Sequence, residues 1–170
     1  DGVERLIFSV GAAAVRSIQE NEEKMSKVAE LLEVQPEKVE KILERIVSEW
    51  KDLRRSDEHL TDQLAAFLAE KYVNTAKKIS GLRLVSKIVS ISEADIDLII
   101  KVSDKLIKLD PNVVSILISI NQNARIVVMV GERAQKLGID ARQIVQEVAS
   151  ELGGGGSGLP EFAQGGGTSV

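Results

Sequence analysis

The sequence predicts an α+β protein with a long helix-loop-helix or coiled-coil subdomain, followed by a small mixed α/β globular subdomain with a glycine-rich tail. Three observations predict it. An apolar heptad pattern extends over residues 39–67, β-branched runs separated by turns follow it, and eight of the thirteen glycines lie within residues 153–167. We expect residues 1–19 to end a preceding domain, residues 20–80 to be helical and residues 81–170 to be globular.

The composition is that of a folded chain, with 28% charged and 44% hydrophobic residues and a net charge of −4. The absence of cysteine excludes a disulfide scaffold and a thiolate metal site. The acidic balance and the few, dispersed aromatic residues argue against a base-stacking platform for nucleic acid. No apolar run is long enough to span a membrane, and we expect a cytoplasmic protein. Because the chain begins at Asp1 without methionine, we also expect residues upstream of it.

The clearest pattern is a heptad of apolar residues on a helix that we predict to run from Pro36 to Ser80. Its members recur at alternating spacings of four and three, with one polar interruption at Asp57. At ~1.5 Å per residue this helix would be ~68 Å long, too long for a compact domain to cover. The seam must therefore meet either the helix of residues 20–34, folded back, or a second copy of the chain. We predict a homodimer through the seam residues Val39, Leu43, Ile46, Trp50, Leu53, Leu60, Leu64 and Phe67.

The remaining elements follow from local patterns. A strand is predicted at the N-terminus, over residues 3–10, and a helix follows from Ala12 to Gln19. After Gly81, strands are predicted at residues 82–91, 113–120 and 125–130, and helices at residues 92–109, 131–137 and 141–152. The order β-α-β-β-α-α predicts a small mixed sheet with its helices on one face.

No cluster of residues indicates catalysis within this chain. The single histidine, His59, falls at an outward heptad position without partners for an acid–base triad or a zinc site. The glycines near the C-terminus lack the Lys-Ser/Thr pair that a nucleotide-binding P-loop requires. We therefore expect no catalytic residue, metal or cofactor in these 170 residues.

A basic stretch lies between residues 71 and 92, where five basic residues occur without any acid. It is either a solvated helix end whose cations complement the helix dipole, or a surface that holds RNA phosphates without reading bases. On the second interpretation, the RNA-binding residues are Lys71, Lys77, Lys78, Arg83 and Lys87.

Residues 153–167 read GGGGSGLPEFAQGGG. Such a composition is typical of flexible linkers, but Leu159, Pro160 and Phe162 are not linker residues. Successive glycines can also turn backbone N–H groups toward one point and let a phosphate approach closely.

This string closely resembles the glycine-rich motif near the C-terminus of alanyl-tRNA synthetases, in which six glycines, a basic residue and proline precede Ala-Gln-Gly-Gly-Gly. Ser157 stands in place of one glycine and Leu159 in place of the basic residue. The resemblance covers the whole chain and is to the archaeal type. Residues 1–5 are similar to the end of the editing region, residues 20–80 to the helical oligomerisation segment, and residues 81–170 to the globular C-terminal domain shared with DHH-type phosphoesterases.

The resemblance implies a module that binds the tRNA body at its outer elbow and dimerises the enzyme. ATP and zinc would serve distant domains, which join alanine to its tRNA and edit the product. The glycine-rich residues that would contact RNA are Gly153, Gly154, Gly155, Gly156, Gly158, Gln164, Gly165, Gly166 and Gly167. Two alternatives stay open: an oligomerisation module without RNA affinity, and the C-terminal half of a DHH-type phosphoesterase. The second is disfavoured because the glycine-rich segment contains no histidine.

Overall fold

The structure, a computed structural model, describes residue 4 and residues 10–89, 96–120 and 123–168. The chain divides into two compact units, Asp1–Ser56 and Asp57–Val170. The strand predicted at residues 3–10 and the helix start predicted at residues 92–95 lie outside the described residues, except for Glu4 and Val10.

Five helices and six strands follow one another in the described part of the chain. Helices α1 to α5 span Ala12–Leu31, Val39–Asn74, Ile96–Leu109, Glu132–Lys136 and Ala141–Glu151. Strands β1 to β6 span Lys77–Ile79, Leu82–Val89, Val113–Ile120, Ala124–Val130, Gly155–Gly158 and Phe162–Gly167. The predicted α+β class is confirmed, because a long helix precedes a six-stranded mixed sheet.

The first unit contains α1, a 3-10 turn at Pro36–Lys38 and the beginning of α2. The loop between the helices uses the left-handed conformation of Glu33, whose φ is 54°, and the N–H of Val34 donates to the carbonyl of Ala29 at 2.9 Å. Pro36 opens the 3-10 turn, a first-turn position where its missing N–H costs nothing. Residues on both sides of the expected boundary at residue 19 belong to the single helix α1.

The prediction that the long helix continues to Ser80 is wrong. It ends at Asn74, and the hydroxyl of Thr75 donates to the carbonyls of Lys71 and Tyr72 at 3.2 Å. Ser80 and Gly81 then take positive φ values of 48° and 84°, as a two-residue hairpin loop requires, and connect β1 to β2.

The second unit is built on a sheet with the strand order β1-β2-β3-β4-β6-β5. Strands β2 and β3 are parallel and are connected through α3, whereas the other neighbouring pairs are antiparallel. The strands predicted at residues 113–120 and 125–130 are confirmed as an antiparallel pair.

Helices cover both faces of this sheet, so the prediction that they lie on one face is wrong. On one face, Val113 and Leu117 of β3 pack with α3 and with Ala65 and Ala69 of α2. On the other face, Val114 of β3 packs with α4 and α5. Because successive side chains of a strand point to opposite faces, the apolar run of β3 needs cover on both.

Candidate nucleic-acid interface

The glycine-rich segment forms a β-hairpin at the edge of the sheet. Strand β6 pairs with β4 on one side and with β5 on the other. Reciprocal backbone hydrogen bonds of 2.7 and 3.2 Å between Leu159 and Phe162 close its turn. The interpretation of this segment as a flexible linker is therefore wrong.

The residues of the hairpin turn attach it to the rest of the unit. The N–H of Ala141, at the start of α5, donates to the carbonyl of Pro160 at 2.9 Å, and the N–H of Val130 donates to the carbonyl of Glu161 at 3.0 Å. The non-glycine residues in the middle of the motif therefore hold the hairpin against α5 and β4.

One face of the hairpin is packed so closely that a side chain would not fit. A β-carbon at Gly165 would lie 2.8 Å from Cγ1 of Val145 in α5, and one at Gly156 would collide with the same methyl group. At Gly167 a β-carbon would collide with the carbonyl of Leu152. These glycines are needed because α5 lies directly against the strand backbone.

The opposite face of the hairpin is open at Gly155. A β-carbon at Gly155 would meet no atom within 4 Å. A cleft of about 730 Å³ lies on this side, and its lining includes Arg125, Ser157, Gln164 and Gly166. Arg125, Gly166 and Gly155 are neighbours across β4, β6 and β5. We call this the glycine cleft; its lining residues include one guanidinium group, that of Arg125. Arg125 was not identified from the sequence, although it is the one charged residue of an otherwise apolar strand.

Four of the predicted basic residues lie on strands β1 and β2, and Lys71 lies in the last turn of α2. Lys78 and Arg83 stand directly opposite each other on the two strands. Arg83 is held by Asp110, with 3.1 Å between Nε and Oδ2. Lys77 and Lys87 line a smaller cavity of about 270 Å³. One of the five predicted cations, Arg83, is therefore already paired with the carboxylate of Asp110.

Asp110 is itself firmly placed in the turn between α3 and β3. It accepts hydrogen bonds of 2.8 Å from the backbone N–H and from the side-chain amide of Asn112. The backbone hydrogen bond above all, then the side-chain amide and the charge of Arg83, lower the pKa of Asp110 against the opposing effect of its burial.

The structure does not bring the basic stretch and the glycine cleft together. Strands β3 and β4 separate β2 from β6. Three strand spacings of ~4.8 Å amount to about 14 Å. An RNA that contacts both surfaces must span at least that distance.

The predicted dimer seam is exposed along α2. Seven of its eight residues have between 41% and 69% of their surface accessible, from Leu43 and Ile46 at the low end to Leu53 at the high end. Val39 is the exception, with 4% accessible. In the second unit, the opposite side of α2 packs on the sheet core through Ala65 and Ala69.

A family model described as a DHHA1 domain matches residues 84–170, about half of the chain. The chain belongs to the DHHA1 family. The glycine cleft lies entirely within the DHHA1 domain, whereas the seam precedes it. Of the five predicted basic residues, Lys87 lies inside the DHHA1 domain and the others just before it.

The relatives of this DHHA1 protein include the alanine–tRNA ligases of Methanosarcina mazei and Pyrococcus furiosus, which are 38% and 34% identical over 99% and 97% of the chain. The chain spans 18% and 17% of their lengths. The C-Ala domain from Aquifex aeolicus alanyl-tRNA synthetase shares the fold, with a TM-score of 0.51 and 22% identity over 55% of this chain and 83% of that one. The predicted resemblance to C-terminal regions of archaeal alanyl-tRNA synthetases is confirmed.

Three further properties belong to the part of this DHHA1 protein that is described. His59 is exposed, with a ring nitrogen 3.1 Å from the side-chain nitrogen of Gln63. Among the described residues, no group of three or more acidic or histidine side chains could hold a metal ion. No described helix combines the length and apolar character needed to cross a membrane.

Proposed function

We propose that this chain is the tRNA-binding and dimerisation module of a cytoplasmic alanine–tRNA ligase. The chain is similar to such ligases over nearly its whole length, which supports the assignment of its parent enzyme. In this proposal, the joining of alanine to tRNA with ATP and the zinc-dependent editing take place in domains outside the chain. The chain holds the tRNA body while those domains act.

The observation that carries the tRNA proposal is a set of exposed lysines without acidic partners. Lys71, Lys77, Lys78 and Lys87 form no ion pair within the described residues, whereas Arg83, the fifth cation of the stretch, is paired with Asp110. Phosphate contacts supply much of the affinity of proteins for nucleic acid without reading sequence. Four such lysines on one hairpin and the adjoining helix end suit this role despite the net charge of −4.

The dimer proposal is supported by the exposed seam. Large apolar side chains such as Trp50 and Phe67 are 56% and 63% accessible in a single chain. Large exposed apolar side chains that recur along one helix mark an interaction surface, because their burial removes apolar area from water. A second copy offers the same heptad spacing and so a matching seam.

The test is a titration of the chain with intact alanine tRNA and with an acceptor-stem minihelix at two salt concentrations. We expect salt-sensitive binding of the intact tRNA and much weaker binding of the minihelix, which lacks the elbow. Replacing Lys71, Lys77, Lys78 and Lys87 together by Gln should reduce the salt slope by roughly 0.7–0.9 for each phosphate that these lysines neutralise.

The matched control replaces four exposed lysines outside this surface, Lys24, Lys41, Lys51 and Lys136, by Gln. It has the same change of net charge and should bind like the unmodified chain. An equal loss of affinity in both variants would contradict the assignment of the surface. No binding of intact tRNA at either salt concentration would leave an oligomerisation module without RNA affinity.

A further inference from the structure

A second cavity, of about 270 Å³, lies between the end of α2 and the outer edge of β2. We call it the edge pocket, and it is lined by Tyr72, Thr75, Ala76, Lys77, Leu84, Val85, Ser86 and Lys87. Two of these residues are cations, two carry aliphatic hydroxyl groups and none is acidic. The glycine cleft differs from it, because the cleft is wider and has a single cation, Arg125, among its lining residues.

The backbone of β2 supplies a further donor to the edge pocket. The N–H of Arg83 donates to the carbonyl of Asn112 on the β3 side, at 3.0 Å. Because backbone groups alternate in direction along a strand, the N–H of Ser86 points the other way, toward the outer edge. Strand β1 pairs only with residues 82–84, so no strand in the described part of the chain covers Ser86.

The two lysines reach the pocket from opposite faces of the sheet. Lys77 is paired with Leu84, whose side chain packs on the side of α4 and α5. Lys87 is aligned with Leu117, whose side chain packs on the side of α3. Neither lysine forms an ion pair with a described carboxylate. The two side chains therefore leave the sheet on opposite faces near Ser86, and neither ammonium group is held by a described carboxylate.

The C-terminus of α2 carries a partial negative charge, and two of its carbonyls are already engaged by hydrogen bonds. The carbonyl of Tyr72 accepts from the N–H of Thr75 at 3.1 Å and from its hydroxyl at 3.2 Å. The carbonyl of Val73 accepts from the N–H of Ala76 at 3.4 Å. These carbonyls are satisfied within the chain, so they do not compete with an anion for the two lysines.

We propose that the edge pocket binds a phosphate group, held between the ammonium groups of Lys77 and Lys87 and the backbone N–H of Ser86. A phosphodiester carries no proton at neutral pH, so its oxygens accept hydrogen bonds and donate none. Charge-assisted hydrogen bonds from lysine are among the stronger ones. The binding of a phosphate group does not depend on the proposed function. Its assignment to an RNA backbone phosphate rests on that function, and inorganic phosphate offers the same kind of anionic acceptor oxygens.

The experiment uses the full chain, labelled with ¹⁵N and titrated with inorganic phosphate at constant ionic strength. We expect a saturable shift of the Ser86 amide resonance. Lys77→Gln combined with Lys87→Gln should weaken this binding by about tenfold or more, because both charge-assisted hydrogen bonds to the phosphate are removed. The matched control, Lys51→Gln combined with Lys136→Gln, changes the net charge equally outside the pocket and should keep the affinity of the unmodified chain.

Each outcome decides the matter. An unsaturated drift of the Ser86 resonance that is the same in both double variants would overturn the edge pocket. A saturable Ser86 shift with phosphate that is reversed when intact tRNA is added supports the pocket with an RNA phosphate as its ligand. A saturable Ser86 shift with phosphate that does not change when tRNA is added supports a pocket for a free phosphate. If the chain binds no tRNA but the Ser86 shift still saturates with phosphate, the tRNA-binding part of the proposed function fails and the edge pocket stands.

Discussion

The hydroxyl oxygens of Ser103 in α3 and Ser115 in β3 lie 3.0 Å apart inside the apolar core, and both residues are fully buried. They form a polar contact between the helix and the parallel pair of strands beneath it. Each hydroxyl has the other as its side-chain partner, so the removal of one takes away a hydrogen-bond partner of the other.

We expect the two single alanine variants to differ. Ser103→Ala leaves the hydroxyl of Ser115 buried without a partner, at a cost of about 1–3 kcal/mol. Ser115→Ala should cost less, because a serine within a helix can turn its hydroxyl to the carbonyl four residues earlier, here that of Ile99. The double variant should be no less stable than Ser103→Ala alone. Urea unfolding measures all three, and simple additivity of the two single effects would contradict the shared hydrogen bond.

The lowered pKa of Asp110 predicts that the chain loses stability at acid pH. Its pKa is lowered from the ordinary value of 3.8, chiefly by the backbone N–H of Asn112. The folded state therefore binds this proton less tightly than the unfolded chain, so the stabilisation is complete above that value and is lost as the pH falls through the lower, folded pKa. Asp110→Asn should be less stable than the unmodified chain at neutral pH, and the two should converge at acid pH.

The measurement is the free energy of unfolding in urea between about pH 7 and about pH 2. A constant difference between the Asp110→Asn variant and the unmodified chain over this range would show that the carboxylate charge contributes nothing.

Two glycines of the hairpin form a matched pair for substitution. Gly165→Ala places a β-carbon 2.8 Å from both Cγ1 of Val145 and the carbonyl oxygen of Gly155, and should destabilise the chain by about 1–3 kcal/mol. Gly155→Ala points into open space and should leave stability unchanged or raise it by a few tenths, about 0.5 kcal/mol, since alanine loses less conformational freedom on folding. Thermal unfolding compares them. Equal losses of stability would contradict the close packing of α5 on one face of the hairpin.

The same Gly155→Ala variant tests the glycine cleft. Because it adds a methyl group to the open face without disturbing the fold, we expect it to weaken tRNA binding if RNA lies in the cleft. An unchanged affinity, measured by the same tRNA titration, would place the RNA elsewhere, on the basic surface.

The seam predicts a dimer that breaks on substitution. Leu53→Glu combined with Leu60→Glu puts charges where leucines that are 69% and 60% accessible would be buried by a second copy. A buried leucine contributes roughly 1.5–3 kcal/mol, so we expect the dimer to weaken by about a hundredfold or more. The control is Leu109→Glu combined with Leu137→Glu, two exposed leucines outside the seam. Sedimentation that shows monomers in both variants, or in neither, would contradict the seam.

The strands at residues 113–120 and 124–130 could be predicted because valine and isoleucine dominate them and turn residues bound them. Because both strands are apolar along nearly their whole length, they also indicated that helices pack on both faces of the sheet. The prediction of helices on one face missed this consequence. Strand β1 could not be found in this way, because three residues reading Lys-Lys-Ile show no alternation. Its signal was the Ser80-Gly81 dipeptide, which is typical of a tight hairpin loop.

The glycine hairpin shows the limit of propensity in the candidate site. Glycine disfavours strands, and nothing in residues 153–158 indicates one. The pairing arises from tertiary contact, since α5 lies so close to Gly156 and Gly165 that any side chain would separate them. Arg125 joined the site for the same reason: its place beside Gly166 depends on the pairing of β4 with β6.

The turn that joins the two glycine runs has a consequence for how this protein can change in evolution. Its ends are closed by Leu159 and Phe162, and its middle is tied to the first residue of α5 through Pro160. Inserting or deleting one residue there would shift the register of β5 against β6 and turn the closely packed glycine positions toward the open side. Because backbone groups make these contacts, the hairpin depends on the length of this turn more than on the identity of its side chains.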